Sequence, residues 1–128
     1  MTMVELLLTL VVVIGGGVWL LYAYQGMLQL TEVSQQTSVA LNDLDDMMEA
    51  VHATPFSQLS AVFPHNTAGV SAYATIIGGY TLPGEQITVL HHPDTSADPR
   101  ELEVRVSWTN QGRSYQRTLF TMRTDQTA

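Results

Sequence analysis

The first 24 residues decide the fold: MTMVE at positions 1–5 is followed by LLLTLVVVIGGGVWLLYAY at positions 6–24. After Glu5, no charged residue occurs before Glu32. An apolar run of about 19 residues, at about 1.5 Å per helical residue, is long enough to cross the hydrocarbon of a bilayer. An ionised carboxylate at the mouth of such a run is costly unless it is neutralised or paired with a positive charge. What pairs with Glu5 is therefore the main question about function.

The composition indicates one small domain attached to this apolar segment. Of the 128 residues, 45% are hydrophobic and 13% are charged. About 100 residues remain after the apolar segment, which is enough for a single small core. The chain contains no cysteine, which excludes disulfides and thiolate chemistry, and no lysine, which excludes Schiff-base chemistry. The segment also differs from a secretory signal peptide, which starts with basic residues and has a shorter apolar core.

Acidic and basic side chains are segregated along the chain, whose formal net charge is −7. Residues 1–52 contain six acids and no arginine, whereas all five arginines lie between positions 100 and 123. Two interpretations stay open: two solvated faces, or an acidic face on one copy that meets an arginine-bearing face on the next. The acidic balance argues against a nucleic-acid partner, because a phosphate backbone requires a basic surface.

The apolar run continues into an amphipathic stretch and predicts one long helix. One apolar stripe recurs in steps of three and four, at Leu30, Val33, Thr37, Ala40, Leu44, Met47 and Val51. Asp43, Asp45, Asp46 and Glu49 are placed mostly on other faces. Pro55 ends the helix near Ala53, which gives about 50 residues and roughly 75–80 Å. Gly15, Gly16 and Gly17 are its weak point, because three glycines cost about 2–3 kcal/mol of helix propensity relative to alanine.

The remaining sequence predicts a loop and then strands. Residues 54–69 are a connecting loop with a short helical turn at 56–62, fixed to the core by Phe56, Leu59 and Phe63. The predicted strands are Tyr73–Ile77, Gln86–Leu90, Glu101–Trp108 and Ser114–Arg123, with a hairpin loop at Asn110–Arg113. In the third of these, Leu102, Val104, Val106 and Trp108 share one face, and Glu101, Glu103, Arg105 and Ser107 share the other.

These parts predict an α+β fold with a 3–4-stranded antiparallel sheet. A sheet with one apolar face needs a cover, and residues 28–53 are the amphipathic helix available for it. Residues 1–27 are then a hydrophobic transmembrane or filament-core helix that projects from the domain. The loop at 54–69 and a sheet domain at 70–128 complete the predicted division.

The residues that carry chemistry elsewhere give no catalytic constellation. His91-His92-Pro93-Asp94 predicts a surface loop rather than a metal site, because adjacent histidines on a strand point to opposite faces. The acids at 43–49 lack the glycine-containing loop of a calcium site, so a solvated helix face is favoured. His52 and His65 are expected to be exposed or locally hydrogen-bonded. We therefore predict no metal, no cofactor and no catalytic residue, and an enzyme is the least supported class.

Thr2, Glu5 and the unbroken apolar run resemble the mature N-terminus of the type IV pilin superfamily, which includes major and minor pilins and the pseudopilins of type II secretion. The resemblance covers the first 25 residues closely and the order of long helix, loop and small sheet loosely. The Val-Arg-Val-Ser-Trp strand at 104–108, a glycine-containing turn and Thr-Leu-Phe-Thr at 118–121 are also similar to the ends of minor pilins and pseudopilins.

The resemblance implies roles for the first residues. A prepilin peptidase removes a short basic leader, the new amine of Met1 is methylated, and Glu5 neutralises the Met1 amine of an adjacent subunit in the filament. The sequence departs from the family at three points. Met1 stands where Phe is usual, Tyr22 stands where many pilins have a helix-kinking Pro, and the C-terminal disulfide loop is missing. The last departure puts in doubt an adhesive role carried by that loop.

The sequence thus predicts a structural subunit of a type IV pilus-like filament, with copies of itself and the assembly machinery as partners. It is expected in the bacterial inner membrane before assembly and in a cell-surface filament afterwards, or in the periplasm if it is a pseudopilin. Alternatives are a minor pilin or pseudopilin, and a permanently anchored single-span protein with an extracytoplasmic binding domain. Adhesion, twitching motility, DNA uptake and secretion remain open.

Overall fold

The computed structural model describes residues 2–126 and consists of helices followed by an antiparallel sheet. The helices are α1 (Met3–Ala53), a 3-10 turn (Phe56–Gln58), α2 (Leu59–Val62) and α3 (Ser71–Ile77), and the strands are β1 (Gln86–His92), β2 (Arg100–Asn110) and β3 (Arg113–Arg123). This order confirms the predicted α+β class and the position of the long helix.

The chain divides into two compact units, one that ends at Gln35 and one that begins at Gln36. Helix α1 contributes residues to both units, and its hydrogen-bonded structure is uninterrupted from Met3 to Ala53. No proline occurs before Pro55, so no residue in this range lacks the backbone N–H that a helix requires.

Arg123 caps the C-terminal end of α1, where the helix dipole favours a positive charge. The Arg123 guanidinium donates from Nη1 to the carbonyl of His52 at 2.9 Å and from Nη2 to the carbonyl of Thr54 at 3.0 Å. The last carbonyls of a helix have no partner within it, so these bonds satisfy acceptors that would otherwise need water. One strand of the sheet thereby fixes the end of the helix that packs on it.

The core of the second unit lies between α1 and one face of the sheet. From α1, Ala40, Leu44, Met47 and Val51 are fully buried, which confirms the lower part of the predicted stripe. The sheet contributes Ile87, Val89, Leu102, Val104, Val106 and Trp108. Leu59 and Phe63 are fully buried and Phe56 partly so, as predicted for the loop. Each fully buried side chain of this size contributes about 1.5–3 kcal/mol.

The sheet has three strands in the order β1-β2-β3, and both neighbouring pairs are antiparallel. The pair Asn110 and Arg113 closes the predicted hairpin, which leaves Gln111 and Gly112 as a two-residue turn with φ of 50° and 76°. Two consecutive positive φ values match the twist of the flanking strands. The register places Leu119 opposite Val104 and Phe120 opposite Glu103, which assigns Leu119 to the core face and Phe120 to the outer face.

The two edge strands of the sheet differ in how far their outer backbone groups are hydrogen-bonded. Along β1, the backbone of Asn66 donates to the carbonyl of Val89 at 2.8 Å, and the His91 N–H donates to His65 Nδ1 at 3.0 Å. Within residues 2–126, β3 pairs with β2 on one side and with no strand on the other. The edge of β1 is therefore partly satisfied by the preceding loop, and the edge of β3 is open.

The predicted strand at Tyr73–Ile77 is wrong, because this stretch lies in helix α3. Tyr73 and Ile77 are both buried and stand four residues apart, which is the spacing of one helical face. Gly78 ends the helix in the left-handed region at φ 76°, and Gly79 donates its N–H to the carbonyl of Ala74. The β-branched and aromatic residues suggested a strand, but their packing against the core decides for a helix.

Three side chains differ in solvent exposure from the sequence-based prediction. Leu30 was placed on the buried stripe but is 73% exposed, because the core of the second unit begins only after Gln36. Asp43 was placed on a solvated face but is 6% exposed, since it borders the stripe at Leu44. Glu103 lies on the outer face of the sheet as predicted, yet it is 8% exposed because Arg105 and His92 close over it.

The predicted surface loop at residues 91–94 is also wrong in part. His91 and His92 are the last residues of β1, and Pro93 ends the strand instead of drawing both histidines into a turn. The two rings do point to opposite faces: His91 is fully buried, and His92 contacts Glu103 on the outer face at 3.0 Å. His52 and His65 are exposed and hydrogen-bonded, as predicted.

Candidate functional site

The first unit exposes a continuous apolar surface. Every large hydrophobic side chain of α1 from Met3 to Leu30 is exposed, and Trp19 reaches 80%. Soluble monomeric proteins rarely expose contiguous apolar patches larger than a few hundred Å². This surface surrounds the helix on all sides, whereas a helix that packs on one partner is apolar on one stripe only. The apolar half of α1 therefore needs an apolar environment that residues 2–126 do not supply.

A membrane satisfies that need by length and composition. Within residues 2–126, α1 is the one helix long and apolar enough to cross a bilayer. Backbone groups in hydrocarbon must be satisfied internally, and a continuous helix does so. The long apolar helix is thus compatible with membrane anchoring.

Glu5 lies in the first turn of α1 and forms a reciprocal pair with Thr2. The Thr2 N–H donates to Glu5 Oε2 at 3.0 Å, and the Glu5 N–H donates to Thr2 Oγ1 at 3.4 Å. This is a capping box, in which two side chains satisfy N–H groups that have no partner inside the helix. A carboxylate at this end is also favoured by the helix dipole. Glu5 is therefore partnered within its own chain.

Sequence reasoning missed this partner, although the signal is present in the sequence. Thr2-Met3-Val4-Glu5 has the spacing of a capping box, a Thr followed three residues later by a Glu. The capping bond uses Oε2, and an ionised carboxylate can accept several hydrogen bonds. Because Glu5 is exposed, a second donor from outside the chain can reach it. The capping role of Glu5 is chemically compatible with its predicted pairing.

Of the other predicted assembly residues, the structure describes the three glycines and not Met1. Met1, the expected processed and methylated N-terminus, lies outside the described residues. Gly15, Gly16 and Gly17 are helical in α1, and a Cβ built on any of them would meet nothing within 4 Å in the described part of the chain. Packing within the chain therefore does not require glycine there, and the prediction of a weak point in the helix stays a prediction.

The buried His91 is held by protein groups on both ring nitrogens. Its Nε2 lies 2.6 Å from the carbonyl of Phe63, and its Nδ1 lies 3.4 Å from Arg100 Nη1. Since the guanidinium can only donate, we assign the ring proton to Nε2. Burial lowers the pKa of His91, and the nearby Arg100 acts in the same direction. His91 is thus a neutral core residue that links a loop to the sheet.

No group of three or more His, Asp or Glu side chains among residues 2–126 is arranged to hold a metal ion. Of the acids at 43–49, Asp43 is buried, whereas Asp45, Asp46 and Glu49 are exposed on the same helix. The structure thus brings Thr2 and Glu5 together at the N-terminus and does not bring His91, His92 and Asp94 together around an ion.

Comparisons of the chain with models of protein families, with curated proteins and with solved structures found no match. The fold itself, a long N-terminal apolar helix whose second half packs on a small antiparallel sheet, is compatible with a pilin-like architecture. Function must therefore be argued from the apolar helix and its capped first turn.

Proposed function

We propose that this chain is a type IV pilin-like subunit that is stored in a membrane and polymerises through the apolar half of α1. The observation that carries the proposal is that every large apolar side chain between Met3 and Leu30 is exposed, behind a single acid at the fifth position. A bilayer and a bundle of identical helices are the two environments that cover such a helix on all sides. A helical polymer offers the second.

The energetics favour repeated contacts between copies. Burying the large apolar side chains of this segment contributes on the order of 1.5–3 kcal/mol for each side chain that leaves water. Starting from a membrane, the gain is smaller, because lipid tails are already apolar and packing must supply the difference. A head-to-tail contact that does not close into a ring generates a filament.

Glu5 sets the register of this assembly. In a dry helical bundle an unpaired carboxylate is strongly destabilising, so a neighbour that brings its Met1 amine to Glu5 is preferred over one that does not. The capping box prepares the carboxylate for this role, since Thr2 fixes its position at the end of the helix. On this proposal a prepilin peptidase exposes the amine, methylation modifies it, and the filament extends outside the cell.

The test separates the charge of Glu5 from its capping role. Glu5→Gln keeps an acceptor for the Thr2 N–H but removes the charge, whereas Thr2→Ala removes the capping hydroxyl but keeps the charge. Glu5→Lys reverses the charge. We expect Glu5→Gln to reduce filaments strongly, Glu5→Lys to abolish them and Thr2→Ala to retain them, as counted by electron microscopy of sheared cells.

The control for these variants is the second unit, which must stay folded in the membrane fraction, as judged by resistance to limited proteolysis. Normal filaments from Glu5→Lys contradict the proposal. Loss of filaments in Thr2→Ala alone, with Glu5→Gln unaffected, would assign the cap rather than the charge to assembly.

Two related functions are kept as alternatives. A minor pilin or pseudopilin has the same helix at lower stoichiometry, and subunit counts in purified filaments distinguish it from a major subunit. A permanently anchored binding protein keeps any residues that precede Met1, so mass spectrometry of the native N-terminus separates it from a processed subunit with a methylated Met1.

A further inference from the structure

Two carboxyl groups lie close together in the second unit, away from the apolar half of α1. Asp43 comes from α1, and Glu85 comes from the segment between α3 and β1. Asp43 Oδ2 and Glu85 Oε1 are both buried, and neither receives a hydrogen bond from an N–H or hydroxyl donor of the described residues. The two carboxyl groups lie within hydrogen-bonding reach of each other. One of them can satisfy the other only if it carries a proton.

The surroundings of Glu85 identify it as the hydrogen-bond acceptor of the pair. Its Oε2 accepts the backbone N–H of Thr81 at 3.0 Å and that of Leu82 at 3.1 Å. Asp43 accepts no such backbone bonds at Oδ2 from the described residues. Asp43 is then the group that holds the proton on Oδ2 and donates it to Glu85 Oε1.

This pair connects α1 with the segment at 79–85. Leu82 of that segment is 8% exposed and belongs to the core, and the carbonyl of Pro83 accepts the N–H of Thr109 from β2 at 2.9 Å. Gly78 and Gly79 precede it with φ of 76° and 108°. The segment is thus held at its end by β2, in its middle by Leu82 and on its α1 side by the carboxyl pair.

The titratable groups around the pair are all acids or phenols. From α1, Asp46 acts on Asp43, and from the segment itself, Tyr80 lies near Glu85. From α3, Tyr73 lies near Tyr80, and its buried hydroxyl has no hydrogen-bond partner among the described residues.

Three of the five arginines are engaged elsewhere. Arg100 contacts His91 and the ring of Phe56, Arg105 is paired with Glu103, and Arg123 holds the end of α1. The chain has no lysine. Arg117 donates to the carbonyl of Gln116, and the charges that act on Asp43 are those of Glu85 and Asp46. A buried pair of like charges cannot remain ionised together without a neutralising cation.

We propose that Asp43 and Glu85 share one proton and that this proton fastens the 79–85 segment to α1, so that the segment opens locally as the pH rises and the proton is lost.

Burial first, and then the hydrogen bond and charge of Glu85, raise the pKa of Asp43 to about 7. The folded state therefore keeps a proton that the unfolded chain releases near the ordinary value for Asp. Stability from this pair is fully present in acid and decreases as the pH rises toward neutrality. Above neutrality the folded pair has also lost the proton, so the stability no longer falls with pH.

Hydrogen exchange of the full chain in detergent micelles tests the proposal. Protection of residues 79–85, corrected for the intrinsic pH dependence of exchange, is measured at about pH 6 and about pH 8, on either side of the Asp43 pKa. Between these two pH values we expect the wild-type segment to lose protection by about tenfold in total, mostly below about pH 7, because above the Asp43 pKa the closed and open segments are both deprotonated and the response levels off. Residues 102–106 of β2 serve as an internal reference and should not change.

Two variants lock the segment by replacing the shared proton with an amide. Asp43→Asn donates from its side-chain N–H to Glu85, and Glu85→Gln donates to Asp43, so at least one folded variant should show equal protection at both pH values. Asp45→Asn, which alters an exposed acid on the same helix, should behave as the wild type.

Equal protection of the wild type at both pH values overturns the proposal, as does a pH response that persists in both amide variants. Restoration of wild-type protection near pH 8 by millimolar calcium chloride, and not by sodium chloride of equal ionic strength, overturns the shared proton in favour of a bound divalent cation.

Discussion

The two halves of α1 have the same secondary structure and opposite surroundings. From Met3 to Leu30 every large apolar side chain is exposed, whereas Ala40, Leu44, Met47 and Val51 are fully buried by the sheet. The first half is apolar on all sides, and the second is apolar on one stripe with acids beside it. A one-sided stripe can be covered by a single sheet, but an apolar cylinder needs many neighbours. The difference indicates that the second half of α1 stabilises the folded chain, whereas the first half is left uncovered by the described residues.

The largest expected effect comes from making the same truncation, Leu to Ala, in each half of α1. Leu44→Ala leaves a cavity in the core and should lower the free energy of unfolding of the second unit by about 2–5 kcal/mol. Leu20→Ala removes an exposed side chain and should leave that unfolding unchanged within about 0.5 kcal/mol. Thermal unfolding of both full-length variants in the same detergent, followed by near-UV circular dichroism, measures the difference. Similar losses from the two substitutions would contradict the division of α1 into two roles.

A smaller loss of stability is expected at Gln36, where the second unit begins. The indole of Trp108, which is 1% exposed, donates from Nε1 to Gln36 Oε1 at 3.0 Å. Gln36→Ala removes the acceptor and leaves a buried donor unsatisfied, so we expect a loss of about 1–3 kcal/mol.

The matched control for Gln36→Ala is Gln35→Ala, one residue earlier on the same helix. Gln35 is exposed and belongs to the first unit, so its truncation should have little effect on chemical denaturation. An equal loss in both variants would show that helix propensity, rather than the Trp108 contact, is being measured.

The smallest expected effect concerns the glycines of the first half. Gly16→Ala should stabilise the helix locally by about 1 kcal/mol, because alanine has the higher helix propensity and the added Cβ meets nothing within 4 Å. Hydrogen exchange at residues 12–20 in micelles should slow by a corresponding factor of about five. Unchanged exchange would mean that the glycines do not weaken the helix.

Much of the fold follows from local rules that the sequence displays. The end of α1 before Pro55, the alternation of β2 and the turn at Gln111 and Gly112 each depend on a few neighbouring residues. The sequence of helix α3 predicts a strand because its seven residues are too few to distinguish the helical period of 3.6 residues from the strand period of two. Its helical state is decided by contacts of Tyr73 and Ile77 with the core, which the sequence does not reveal.

The candidate site was predictable in outline and not in its polar contacts. The apolar run and Glu5 are evident from composition, and the Thr2 cap could have been recognised from its spacing. The burial of Asp43 and Glu103 could not have been recognised, because each depends on a partner that is distant in sequence: Glu85 for one, His92 for the other. Charged residues are read as exposed unless such a partner is known.

The open edge of β3 has a consequence for solubility. A strand of 11 residues with neighbours on one side presents unpaired backbone groups that can recruit another strand and start aggregation. Arg113 and Arg117 are exposed on this strand and carry the same charge. Charged residues on an edge strand discourage the pairing of strands between molecules, so these arginines oppose aggregation through the open edge.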